Sequence, residues 1–186
     1  MKTAKIKRGR RKRDLFLLEN IDSRITIAHD KISNYRQKGV QTKMTKTILN
    51  EFDRNKIRTI VDEKCYFLNY AQRMHVINQI LKKKKEIISR FEPHFDIAPD
   101  DTREMLGNVI AFYTNPDIKQ KLEEIKKRKR SRHTLPSPND RIILAECCFI
   151  KKLKKKKIIL LTDDAHFTAF SSEIKKKFNI EIDSIT

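Results

Sequence analysis

Along most of the chain the apolar positions recur every three or four residues, and only a few short runs are continuous. Ile21, Ile25, Ala28, Ile32 and Tyr35 step at helical spacing, and Gly39 ends that segment. Val40 to Met44 reads as a short strand. Thr45 follows as a candidate N-cap for a helix carrying Ile48, Leu49, Glu51 and Phe52. From Ile60 to Phe91 one long amphipathic pattern places Phe67, Tyr70, Met74, Ile77 and Leu81 on a core stripe, with the lysines at 82–85 as a charge run upon it. After Pro93 and Pro99, Asp100-Asp101-Thr102 opens a helix containing Met105, Leu106, Val109 and Ile110. Asn115-Pro116-Asp117 opens another, with Ile118, Leu122 and Ile125 on one face.

The last third has a different rhythm. Ser137 is placed to cap a helix with Pro138 at its first position, and Ile142, Ile143, Ala145, Phe149 and Ile150 give that helix its apolar face. After a lysine-rich turn, Ile158-Ile159-Leu160-Leu161 is the continuous apolar run expected of a strand covered on both sides, and it stops at Thr162-Asp163-Asp164. A helix over 171–178 and a strand over 179–182 follow. With Leu15-Phe16-Leu17-Leu18 as a first strand, the order predicts an α/β fold with a central, mainly parallel sheet. Residues from about 60 to 130 are then a helical insertion or an outer layer.

Composition adds a partner to this picture. The 186 residues carry 43 Lys and Arg against 24 Asp and Glu, a formal charge of +19, and the isoelectric point is about 10.0. A field of that strength calls for a polyanion, of which nucleic acid is the usual one. The basic residues occur in several segments rather than in one amphipathic anchor, and no apolar run is long enough to span a bilayer, so no membrane partner is expected. Residues 1–13 form a basic arm without a core-forming pattern or the apolar centre of a secretory signal, and are expected to be disordered until a partner binds. The remainder, 14–186, reads as one domain. Three cysteines give neither a disulfide framework nor metal-ligand spacing, which suits a reduced cytoplasmic protein. Arginine binds phosphate in a bidentate fashion, so the clusters containing it are the candidate RNA contacts: Lys7, Arg8, Arg10, Arg11, Lys12 and Arg13 in the arm, and Lys127, Arg128, Arg130 and Arg132 near the middle. Either cluster would serve equally as a nuclear-localisation signal in a eukaryote.

The acids concentrate just past a strand or in the first turns of helices. In an open α/β sheet such positions converge where ligands bind. Clustered carboxylates are what Mg²⁺ or Mn²⁺ requires, and a confined acidic pocket in a basic protein suggests phosphodiester chemistry. Each acid also has an ordinary explanation. Asp140 completes a capping box with Ser137, Asp163 and Asp164 close a turn, and Glu51 pairs with Arg54 or Lys46. His166, close behind the acids, reads as a residue packing beside the next helix rather than a phosphate contact or proton carrier.

Taken together, these acids resemble those of the PIN domain, a ribonuclease family. Asp140 in PNDRIILAE is similar to its late-helix acid, Thr162-Asp163-Asp164-Ala165-His166-Phe167 to its T-x-D-x-x-F strand end, and Glu51 in TKTILNEFDR to its early-helix glutamate. The first acid is Asp22 in Ile21-Asp22-Ser23-Arg24-Ile25, with Glu19 and Asp30 as rivals. Asp30 would require a strand over 25–29. The resemblance covers 136–182 well and 44–54 fairly, and has no motif from about 60 to 130. It implies a PIN-like three-layer sandwich and a metal-dependent RNA endonuclease. Asp22, Glu51, Asp140 and Asp164, with Asp163 assisting, would hold Mg²⁺ or Mn²⁺. The implied partners are RNA and, beyond it, a protein partner or inhibitor or a second copy of the chain. The alternative is a PIN-like RNA-binding scaffold without catalysis, as in a ribonucleoprotein particle. A third reading, from outside the family, is a basic helical nucleic-acid binder.

Overall fold

Helix α1 (26–37) stops where its glycine predicts. Gly39 sits at φ 73°. Its N–H donates to the carbonyl of Arg36 and the Val40 N–H to that of Tyr35, both at 2.9 Å, the two bonds of a Schellman stop. The computed structural model describes residue 23 and residues 26–51, 53–88, 92–95, 97–129 and 135–185. The basic arm, the apolar run at 15–18, Glu19 and Asp22 lie outside the described residues. Because 26–37 is helical, the rival strand through 25–29 that Asp30 required is absent.

The described residues divide into two units. In the first, α3 (Arg54–Lys64) and α4 (Tyr70–Ile88) pack around Ile57, Val61, Cys65, Leu68, Val76 and Ile77. The single pattern expected from Ile60 to Phe91 is two helices. Asn69 accepts from the Gln72 N–H at 2.9 Å while its own N–H donates to the Gln72 side chain at 3.0 Å. That reciprocal cap starts a new helix in the middle of an unbroken hydrophobic period. Tyr70, expected on the core stripe, is 65% exposed as a result. Strand β1 (Lys43–Thr45) pairs with β2 (Glu92–Phe95). The Thr45 hydroxyl accepts from the Ile48 N–H at 3.4 Å, opening α2 (Lys46–Glu51).

The second unit holds the larger core. Helix α5 (Pro99–Thr114) packs along α7 (Pro138–Lys154), with α6 (Pro116–Lys129) between them in sequence. Prolines open all three, where their missing N–H costs nothing. Pro116 also ends α5, since it forces Asn115 into an extended conformation (φ −57°, ψ 136°). Ser137 and Asp140 form the expected capping box at the start of α7. From α7, Leu144 and Ala145 are fully buried among Val109, Tyr113, Leu122, Phe170, Ile174 and Ile180. Truncating Leu144 to alanine would remove about 2–5 kcal/mol. Strand β3 (Ile159–Leu161) leads through α8 (Ala165–Thr168) and α9 (Ser171–Phe178) to β4 (Glu181–Asp183). β4 lies parallel to β3, with Ile159 opposite Glu181 and Leu161 opposite Asp183.

This architecture corrects the expected fold. A PIN-like three-layer sandwich needs a central, mainly parallel sheet. Among the described residues the strands pair only two by two, β1 with β2 and β3 with β4, and the rest is mostly helix. The physical reason lies in the middle of the chain, where apolar residues keep helical spacing over α3, α4, α5 and α6 and leave few runs that could become interior strands. The strand–helix–strand rhythm at 158–182, expected to form part of a central sheet, is a two-stranded unit, β3 with β4. The PIN resemblance is therefore not supported by the fold. No helix among the described residues is long and apolar enough to cross a membrane.

Candidate metal centre

Asp140 enters the site from the third position of α7. One of its carboxylate oxygens accepts from the Ser137 N–H at 2.9 Å, and its own N–H donates to the Ser137 hydroxyl at 3.2 Å. The start of a long helix favours a negative charge there. Asp164 stands just beyond β3 as the N-cap of α8. Its own N–H is turned onto the Thr162 hydroxyl at 3.1 Å, while its Oδ1 accepts from the His166 N–H at 2.6 Å and lies 3.1 Å from His166 Nδ1. The tight turn between strand and helix thus points the Asp164 carboxylate and the imidazole to the same place.

One ligand atom each from Asp140, Asp164 and His166 lies within 4.8 Å of the other two. Opposite ligands of an octahedral Mg²⁺ stand about 4.2 Å apart, so a small side-chain rotation closes the set around a cation. The group is half-buried: His166 is 21% and Asp164 42% exposed, which leaves open positions for water or a ligand. Below it, the Tyr113 hydroxyl donates to the His166 carbonyl at 2.8 Å. Burial first, and then the negative charges of Asp140 and Asp164, hold the Tyr113 phenol well above its ordinary pKa, so it stays a neutral donor. The cluster can hold a divalent metal ion through two carboxylates and an imidazole.

Among the described residues, the other candidate ligands fall outside this group. Asp163 accepts from the Ser184 hydroxyl at 2.8 Å and the Ile185 N–H at 2.7 Å, which ties the chain after β4 to the end of β3. Glu51 belongs to the first unit, where it pairs with Lys56 at 3.2 Å. Asp30 is exposed on α1 beside His29. His166 was read as a packing residue and is a member of the cluster; its spacing two residues after Asp164 was the available signal. Tyr113 gave no signal, because nothing local connects it to residues 140–166. Of the expected phosphate contacts, Lys127 is exposed on α6 and Arg128 lies in the same helix. The arm residues, Arg130 and Arg132 fall outside the described residues.

No protein-family model matches this sequence, and comparisons with curated proteins and with solved structures gave no match. The expectation of a PIN-type endoribonuclease is set aside on the fold, and its non-catalytic PIN-like scaffold counterpart goes with it. Both presume a sandwich that brings acids from several strands and helices to one sheet edge. Here two of the expected acids meet, and their third companion is a histidine.

Proposed function

We propose that this protein is a helical, basic RNA-binding protein that carries a divalent cation at Asp140, Asp164 and His166. The observation that carries the reading is the convergence of two carboxylates and an imidazole in a chain of net charge +19. In such a chain the general field already favours phosphate, and three grouped metal-ligand side chains are a local exception to it. A cation held by few protein ligands keeps positions to which an RNA phosphate oxygen can bind. Of the two expected ions, the imidazole favours Mn²⁺ over Mg²⁺. Asp140 and Asp164 are held in place by their capping bonds, and His166 by its own N–H and carbonyl, so the ligands are positioned before any ion arrives.

Titration of the full chain with Mn²⁺, followed by calorimetry and by electron paramagnetic resonance, tests the site. One ion per chain should bind to the wild type, and Asp140→Asn and Asp164→Ala should each weaken it at least tenfold. Fluorescence anisotropy with a labelled RNA tests the other half, with binding that weakens steeply as salt rises. Stoichiometric Mn²⁺ binding indifferent to both substitutions would overturn the metal assignment. An absence of RNA binding at low salt would overturn the function.

A further inference from the structure

We infer that the lysine-covered end of the β3–β4 unit, at the opposite end of β3 from the acid cluster, is the surface that takes the RNA phosphate backbone. The inference rests on the RNA-binding reading above and gives it a location. Lys155 ends α7 in the left-handed conformation at φ 50°, and Asn179 ends α9 in the same way at φ 53°. Each turn feeds a strand, and the two strands run parallel in register, so both helix C-termini abut the same end of the sheet. The lysines of the two last turns and of the 155–157 loop are thereby collected.

Four contacts fix this grouping. Lys157 and Lys175 grip opposite oxygens of Glu181 at 2.7 and 3.0 Å. The Lys151 ammonium donates to the Phe178 carbonyl at 3.4 Å, joining the ends of α7 and α9. Lys152 reaches Glu104 on α5 at 3.2 Å.

Local compensation falls short of the charge present. Among the described residues, Lys151, Lys152, Lys155, Lys156, Lys157, Lys175, Lys176 and Lys177 form ion pairs only with Glu104 and Glu181, beside two helix C-termini worth about half a negative charge each. Lys155, Lys156, Lys176 and Lys177 are exposed, and no carboxylate lies within ion-pair range of them among the described residues. In the sequence the run at 154–157 is only a lysine-rich turn. Its meeting with 175–177 is a product of the parallel pairing.

The chemistry of the patch specifies how it recognises its ligand. The cations named here are all ammonium groups, and the ring of Phe178 at the end of α9 is packed on Phe112 with ring centres 5.4 Å apart. Such a surface reads phosphate charge and not bases. Leu153, 59% exposed among these lysines, is the feature that would suit an anionic membrane. One leucine is too little apolar surface to anchor the chain in a bilayer, and Ile143, Leu144, Ala145, Cys147, Cys148 and Ile150 of α7 are buried in the core. Phosphodiester backbone is the better fit.

The test compares two full-length variants with equal charge loss. In one, Lys155, Lys156, Lys176 and Lys177 become glutamine; in the other, Lys82, Lys83, Lys84 and Lys85 of α4 do. Anisotropy with a labelled 20-nucleotide RNA is read from low to moderate salt, and sedimentation with phosphatidylserine vesicles is run alongside. The first variant should lose about tenfold in affinity, and its log K against log salt slope should fall by about 2 to 3. The α4 variant should stay within about threefold of wild type. Equal losses in the two variants would show that only net charge matters and would overturn the assignment. So would unchanged RNA binding in the first variant, or a loss confined to vesicles. In each of those outcomes the wild type still binds RNA, whereas failure of the RNA-binding reading itself shows as a wild type that does not bind. Unchanged circular dichroism and melting temperature in both variants confirm that the fold is kept.

Discussion

The Tyr113 hydroxyl on α5 donates to the backbone carbonyl of His166 on α8 at 2.8 Å, across 53 residues of chain. It ties the candidate metal centre to the core, since Tyr113 is almost fully buried against Phe112 and Phe170. Tyr113→Phe keeps the ring and strands the carbonyl. The expected loss is about 1–3 kcal/mol of unfolding free energy in urea titrations, with several-fold weaker Mn²⁺ binding as His166 loosens. Stability that is unchanged would show that water replaces the phenol at no cost.

The same phenol has a signature at high pH. Its folded pKa is raised above the unfolded value near 10, by burial first and by Asp140 and Asp164 after it. Its contribution is therefore full below about pH 10 and declines above it, as the unfolded chain becomes the first to ionise. Of the four tyrosines, one should resist ionisation at 295 nm until the protein unfolds, and Tyr113→Phe should abolish that delayed step.

Asp163 and Asp164 are neighbours with opposite duties, and substitution should separate them. Asp163→Ala loses the bonds to Ser184 and Ile185 and should cost about 2 kcal/mol without affecting Mn²⁺ affinity. Asp164→Ala loses an N-cap worth about 1 kcal/mol and should abolish Mn²⁺ binding. If the metal is lost with Asp163 and not with Asp164, the site has been assigned to the wrong carboxylate.

That contrast shows what the sequence could convey. Ser137 and Asp140 declare a capping box within four residues, and Gly39 declares a helix stop; both are local and both are found. Consecutive side chains in extended backbone point to opposite sides, so one of Asp163 and Asp164 had to turn away. Which of them did depends on Ser184 and Ile185, some twenty residues further on. The apolar run at 158–161 correctly marks a strand, but a strand's partners are not written in it. A sheet was extrapolated from what is a pair. The Asn69–Gln72 exchange was legible in principle and was hidden by the unbroken period around it.

Cys147 and Cys148 are predicted to be inert in the native protein. Burial, reinforced at Cys147 by Cys148 and Glu146, pushes each thiol from 9.0 to about 12. The thiolate is the reactive form, so labelling at pH 8 mapped by mass spectrometry should leave both unmodified until denaturant is added. The sign for stability matches that of Tyr113: the contribution is full below pH 9 and is lost as pH rises from 9 to 12. Replacing both with alanine should flatten that part of the alkaline decline. Rapid native labelling would mean that α7 opens locally.

Glu146 poses the last question, because it is a buried carboxylate in a core helix. One oxygen accepts from the Thr47 hydroxyl at 2.5 Å, and the other has no partner among the described residues. Within the second unit, the bond holds residues 45–48 against α7. Burial of a half-satisfied charge costs free energy that a single neutral hydroxyl does not fully return. Thr47→Val should therefore destabilise by about 2 kcal/mol, since it leaves the carboxylate with nothing. Glu146→Leu should be near neutral or stabilising, and the double variant should recover most of what Thr47→Val lost. A double-mutant cycle in urea reads the coupling directly. If the double variant is as unstable as the sum of the two single changes, the pair contributes nothing specific, and the docking of 45–48 rests on Ile48 and its apolar neighbours.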